Sequence, residues 1–331
     1  MGKKFFNFVS GYNKNGKGVT KKQVEFDKKL GFGFFFKLMK MRLGKFSGTN
    51  LIFALCNIFV FVALFGISGI LDRTEPTAAN PLYAQIAAIA KNDASPAVSS
   101  LYTTFCGSAE FRVVSEASRI LMYAAYALVV TFGVSTIGMV YNMRNVCTGE
   151  HIDTWHDFFY AIKRNIKQGI IIGIMDAVLI ALLVYNIFAY RTAADYSFMY
   201  LVFYYASIAF AAVYYMMRHY IYLQLVTCEM SIGKMIKNAF YLTALGFKRN
   251  LVGLIAAFVF CFALLYAYII LPQFSLILLC MFVFSFLTYL GVYCAYPVIK
   301  KYVIDPYYDE HPDERPDDPW ATDERVFVDR G

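Results

Sequence analysis

One carboxylate stands inside an apolar run. Asp176 interrupts GIIIGIMDAVLIALLVY and is the only acid in the six longest apolar runs of the chain. A charge in hydrocarbon is costly and normally faces protein or water. By helical rise, Asp176 lies about 10 Å from the start of its run. A hairpin would bring Arg218 and His219, near the end of the next run, alongside it. Two chemistries fit these three residues: an ion or proton site, or a structural ion pair that fixes the register of two helices. The fourth run is rich in tyrosine, with Tyr200, Tyr204, Tyr205, Tyr214, Tyr215, Tyr220 and Tyr222. Such rings serve either as a sugar platform or as hydroxyl partners between helices and at the interface.

A second cluster, His151, Asp153, His156 and Asp157, matches no compact metal-ligand spacing. Acids there also cap helices, so no metal or other cofactor is expected. There is no GxSxG, no HExxH and no phosphate loop. GYNKNGKGVT at 11–20 lacks the GxxxxGK[ST] spacing. The chain is therefore not expected to be an enzyme.

The elements that hold these residues are hydrophobic. With 59% hydrophobic and 16% charged residues, and a mean hydropathy of +0.50, the chain is too apolar for a water-soluble globule. The excess falls in blocks at 50–71, 120–141, 169–190, 198–225, 251–271 and 274–298. Each is long enough to cross a bilayer as a helix, and none alternates as barrel strands do. The fold class is thus all-α and polytopic: six transmembrane helices arranged as three hairpins.

Charge sets the expected orientation. Residues 1–49 hold twelve Lys/Arg, and residues 305–331 hold ten acids against Arg315, Arg325 and Arg330. The connections 142–168 and 226–250 are basic, and Lys300 and Lys301 follow the last span. The short 191–197 turn has only Arg191, and the long 72–119 loop spreads Arg73, Lys91, Arg112 and Arg119 over many more residues. This bias places both termini in the cytoplasm. It also assigns the basic charge to membrane lipids rather than nucleic acid. No signal peptide is expected, since the first long apolar run begins only near Asn50. Of seven cysteines only Cys106 falls in the outer loop, so no disulfide framework is expected.

The cytoplasmic connections are patterned too. In 153–167, Trp155, Phe158, Phe159, Ile162 and Ile166 recur at helical spacing, with Lys163, Arg164 and Lys167 on the other face. Thr154 and Asp157 suggest a capping box. In 231–247, Ile232, Met235, Ile236, Ala239 and Phe240 repeat the pattern behind Ser231 as N-cap. Both predict amphipathic helices lying at the inner membrane surface, apolar face down. Trp155, Phe158, Phe159 and Phe240 are the aromatic groups expected to face lipid or a partner. Lys163-Arg164-Asn165-Ile166 matches Lys248-Arg249-Asn250-Leu251, with a fainter copy at Asn50-Leu51, so Lys163, Arg164, Asn165, Lys167, Lys248, Arg249 and Asn250 read as a repeated interfacial motif. The organisation is then a basic segment 1–49, a membrane domain 50–298 and an acidic tail 299–331. In the outer loop, PLYAQIAAIA at 81–90 suggests a short helix.

NMRNVCTGEHIDTWHDFFYAIKRNIKQGIIIG (142–173) resembles the cytoplasmic motif of the YesL-like integral membrane proteins, a family of unknown function. The matching residues are Arg144, Glu150, Asp157-Phe158-Phe159, Lys163 to Gln168 and Gly169. Met235-Ile236-Lys237-Asn238-Ala239 is similar to a later helix of that family. The resemblance spans most of 45–300; the long basic N-terminus, the outer loop and the acidic tail depart from it. It implies a Gram-positive cytoplasmic membrane and a link to carbohydrate ABC importers, with no catalytic residues. Two functions follow as expectations. One is a non-catalytic accessory or assembly subunit that partners an ABC permease or ATPase. The other is an autonomous small-molecule or ion transporter using Asp176, Arg218 and His219.

Overall fold

The computed structural model describes residues 30–78, 88–89, 95–98, 100, 108–150 and 152–312. Residues 1–29, the tail from 313, Cys106, His151 and all of 81–90 except the helical pair 88–89 lie outside the described residues. The order is α1 (Phe32–Met41), α2 (Leu43–Cys56), α3 (Phe59–Ile67), β1 (Arg73–Ala78), β2 (Ser108–Val113) and α4 (Glu116–Tyr123). A 3-10 turn (Ala124–Ala127) leads to α5 (Leu128–Thr148), α6 (Thr154–Ala193), α7 (Phe198–Thr227), α8 (Ile232–Leu245) and α9 (Phe247–Ile270). The chain closes with α10 (Pro272–Leu278), a π-helical turn (Leu279–Val283), α11 (Phe284–Ile299), a second π-helical turn (Lys300–Ile304) and α12 (Asp305–Glu310).

Five helical stretches are long and apolar enough to cross a membrane, or six if α2 and α3 count as one broken span. The all-α polytopic class holds. The first predicted span is not continuous, however: it breaks at Asn57 and Ile58. The 72–119 loop adds a two-stranded antiparallel sheet, with Arg73 opposite Val113 and Ala78 opposite Ser108.

The chain divides into two compact units. The smaller, 58–128, holds α3, the sheet and α4. Gly66 lets α3 approach α4 closely, since a Cβ there would stand 2.9 Å from the Ser118 carbonyl oxygen. At the foot of the sheet, the Asp72 carboxylate accepts from the Ser115 N–H at 3.0 Å and from the Ser118 hydroxyl.

The larger unit, 1–57 with 129–331, carries the main core. Buried residues concentrate where α5, α7 and α11 finish and where α6 and α9 begin: Ile137, Met143, Phe158, Tyr220, Leu223, Tyr289 and Ile299 are among them. This is the basic end of the bundle. Toward the other end, α6, α7 and α9 present Val184, Phe188, Phe203, Phe210, Phe258 and Phe262 outward. Such an apolar exterior suits hydrocarbon.

The main departure from expectation is α6. The amphipathic helix expected at 153–167 is not a separate surface element but the first turns of a 40-residue helix that includes the third span. No proline interrupts it, and its two glycines are used for packing rather than bending. Gly173 crosses Gly133 of α5 so closely that a Cβ would stand 2.8 Å from the Gly133 Cα. The N-cap is Asp153 rather than Thr154. Its side chain accepts from the His156 N–H at 3.4 Å, and Asp157 reaches back to the Asp153 N–H at 2.9 Å.

α8 matches the expected 231–247 element, although Ser231 makes no side-chain cap bond. Its apolar stripe faces the protein: Met235, Ala239 and Leu242 are buried, while Phe240 projects outward, 60% exposed. At the far end, the last helix runs on past 299 through a π turn to Glu310.

Candidate functional site

Asp176 enters the core from α6 with its side chain 2% exposed. The facing helix α7 offers Tyr214, Arg218 and Tyr222 at four-residue steps, one stripe of a helix. Tyr214 donates to Oδ1 at 2.7 Å, Arg218 Nε to Oδ2 at 2.7 Å and Tyr222 to Oδ2 at 3.0 Å. Arg218 also reaches the Thr136 hydroxyl of α5 at 3.5 Å and lies over the rings of Phe132 and Tyr222. The carboxylate thus meets an opposite charge and three donors, the condition under which a buried acid is tolerated.

His219 does not join them. One position along α7 from Arg218, it points about 100° away. Its Nδ1 donates to the Tyr215 carbonyl at 2.8 Å, and its ring lies against Gly291 of α11. The expected trio therefore reduces to Asp176 and Arg218, completed by two tyrosines. Those tyrosines are legible as i−4 and i+4 neighbours of Arg218 once α7 is known to face α6.

The repeated motif performs three different tasks. Asn165 donates to the Ala161 carbonyl of its own helix at 3.0 Å. Asn250 spans the break between α8 and α9, donating to the Thr243 carbonyl at 3.2 Å and accepting from Tyr220 at 2.9 Å. Asn50 is fully buried and serves the π-helical turn. It donates to the carbonyls of Leu279 at 3.0 Å and Cys280 at 2.7 Å and accepts from the Ser285 N–H at 2.8 Å. Its amide thereby stands in for backbone groups that the turn leaves unpaired.

The basic residues divide by type. Arg42 donates to the carbonyls of Glu150 at 2.7 Å and Gly149 at 2.9 Å. Burial pulls its pKa below the ordinary value, with Cys147 and Glu150 pulling the other way. Arg164 pairs with Glu229 at 2.9 Å. Arg249 donates to the carbonyls of Leu30 at 2.8 Å and Tyr293 at 2.9 Å. Lys163, Lys167 and Lys248 remain exposed.

Among the aromatic groups, Trp155, Phe159 and Phe240 are exposed, but Phe158 is completely buried, its ring filling the space left by Gly138 of α5. Phe158 is thus a core residue rather than a partner-facing one. No three His, Cys, Asp or Glu side chains converge among the described residues. Asp153 and Asp157 are engaged at the start of α6.

A family model described as "Protein of unknown function, DUF624" matches residues 118–187, from α4 through most of α6, a minority of the chain. No curated protein and no solved structure matches the chain.

Proposed function

We propose that this chain is a non-catalytic accessory or assembly subunit of a membrane complex. The observation that carries the reading is the closure around Asp176. The only acid in the six apolar runs has its charge met by Arg218 and accepts from three protein donors. A carrier needs a site that exchanges its occupant with water or substrate. This one is built as a lock between α6 and α7. Exposed aromatic residues at the basic end, Trp155, Phe159 and Phe240, supply surface for a partner. The arrangement gives less support to an autonomous transporter using Asp176, Arg218 and His219, because His219 faces α11 instead.

The finer reading is a YesL-like subunit of a carbohydrate ABC importer in a bacterial cytoplasmic membrane. Its support is the sequence resemblance around 142–173. Both termini then lie in the cytoplasm, as the bias of Lys and Arg toward one end favours.

The test is affinity capture of the tagged chain from its native membrane in mild detergent, with the co-purifying proteins identified by mass spectrometry. Stoichiometric permease, ATPase or sugar-binding subunits support the proposal. Recovery of the chain alone across several mild detergents, together with substrate flux into vesicles that Asp176→Asn abolishes without unfolding the protein, overturns it in favour of the transporter.

A further inference from the structure

The start of α6 carries two rows of aromatic rings. Trp155 and Phe159 stack with centroids 6.0 Å apart, and His156 and Tyr160 stack at 6.1 Å on the neighbouring row. Trp155 is 54% and Tyr160 45% exposed.

Their depth follows from the unbroken helix. The apolar stretch 169–190 alone covers about 33 Å, enough for a hydrocarbon core of roughly 30 Å. Trp155 lies fourteen residues before Gly169, so on a helix aligned with the bilayer normal it stands about 21 Å beyond that core. Headgroups occupy only about 5–7 Å on each side. Lys163 and Lys167 therefore sit near headgroup depth, and the aromatic rows stand in water. Clustered apolar surface in water marks an interaction site.

The charges around the rows are nearly all engaged. Asp153 and Asp157 bond the helix start, and Arg164 pairs with Glu229. Lys163 and Lys167 continue the His156–Tyr160 row, exposed and with no ion pair among the described residues. The surface therefore suits a segment with rings or prolines for the aromatic rows and acids for the lysines.

The chain supplies such a segment. Residues 313–331, DERPDDPWATDERVFVDRG, carry seven acids against three arginines and contain Pro316-Asp317-Asp318-Pro319 followed by Trp320. Prolines at this spacing dock on aromatic-lined surfaces. The described chain ends at Pro312, just after α12 and at the same basic end from which α6 begins. Nineteen extended residues reach about 60 Å. We propose that residues 313–331 seat on the Trp155–Phe159 and His156–Tyr160 rows, with their acids toward Lys163 and Lys167. The platform is then covered by the chain's own tail, and a partner subunit binding there must displace it.

The experiment exploits the two tryptophans of the chain, Trp155 and Trp320. With Trp320→Phe in the full-length protein, Trp155 reports alone. The comparison is the same chain ended after Pro312, both purified in detergent. Truncation is expected to red-shift Trp155 emission and remove its protection from acrylamide. Added peptide 313–331, carrying the same Trp320→Phe change, restores protection. At about 1 M salt the acid–lysine contribution is screened and protection in the full-length chain falls.

Peptide with Pro316→Ala, Pro319→Ala, Asp317→Asn and Asp318→Asn is expected to restore none. Equal accessibility of Trp155 with and without the tail overturns the proposal. So does protection that persists after truncation only in lipid nanodiscs, which assigns the cover to headgroups. Protection that disappears on dilution also overturns it, in favour of a second copy's tail. Because no other protein is in the sample, a capture experiment that finds no partner leaves this result standing.

Discussion

Arg249 donates from Nη2 to the carbonyl oxygen of Tyr293 at 2.9 Å. That carbonyl sits four residues before Pro297, inside α11. Proline has no N–H, so the i−4 carbonyl loses its usual helical partner. The guanidinium of α9 takes it and extends to the Leu30 carbonyl ahead of α1. One side chain thus ties the start of the described chain to the proline site of its last long helix.

Arg249→Ala should lower stability by about 1.5–3 kcal/mol, the range for a hydrogen bond to a charged group. In a Pro297→Ala background the loss should shrink, because an N–H at 297 takes the Tyr293 carbonyl. Thermal unfolding in detergent across this double-mutant cycle measures the difference. Equal losses in both backgrounds would show that the proline site is not what Arg249 serves.

Asp176 and Arg218 should behave as one unit. Removing either alone leaves a buried charge without its partner, which costs about 3–5 kcal/mol. Asp176→Ala and Arg218→Met are therefore each expected to be severely destabilising. The double variant should be much less damaged than the sum of the two. Additive losses, measured by unfolding in detergent, would contradict the ion-pair lock.

Asn50 offers a test of the π-helical turn. Asn50→Leu removes an acceptor from the buried Ser285 N–H and a donor from the part-buried Leu279 and Cys280 carbonyls. Each buried group left unpaired costs about 1–3 kcal/mol. Hydrogen exchange should accelerate across 279–285 and stay unchanged in α7. An unaltered exchange pattern would mean that the turn does not depend on Asn50.

The spans and the α6–α7 pair were legible because each has a physical signature in sequence. Apolar runs near 20 residues must close their own backbone bonds. A lone acid in such a run needs a partner at matching depth. Direction within a stripe was less legible. Met235 and Ala239 of α8 form a valid apolar stripe, yet lipid and protein are equally apolar, so periodicity cannot say which one it meets. The same ambiguity separates Arg218 from His219, which are adjacent in sequence but point to different helices. The π turn at 279–283 has no local signature, since its unpaired groups are met by Asn50, more than two hundred residues away in the chain.

Phe158 and Phe159 make the closing contrast, adjacent in sequence and opposite in role. Phe158 is fully buried against Gly138, so Phe158→Ala should cost about 3–5 kcal/mol through lost transfer energy and the cavity left behind. Phe159 stacks on Trp155 at the exposed rows, so Phe159→Ala should stay within about 0.5 kcal/mol, as exposed substitutions usually do. Partner capture should respond the other way. Phe159→Ala should lower recovery of co-purifying subunits from a chain that unfolds like the parent. Unfolding in detergent gives the first readout and quantitative capture the second. A Phe159→Ala chain that matched the parent in both would remove the aromatic rows from the docking surface, because loss of a ring from the exposed row would then leave partner binding untouched.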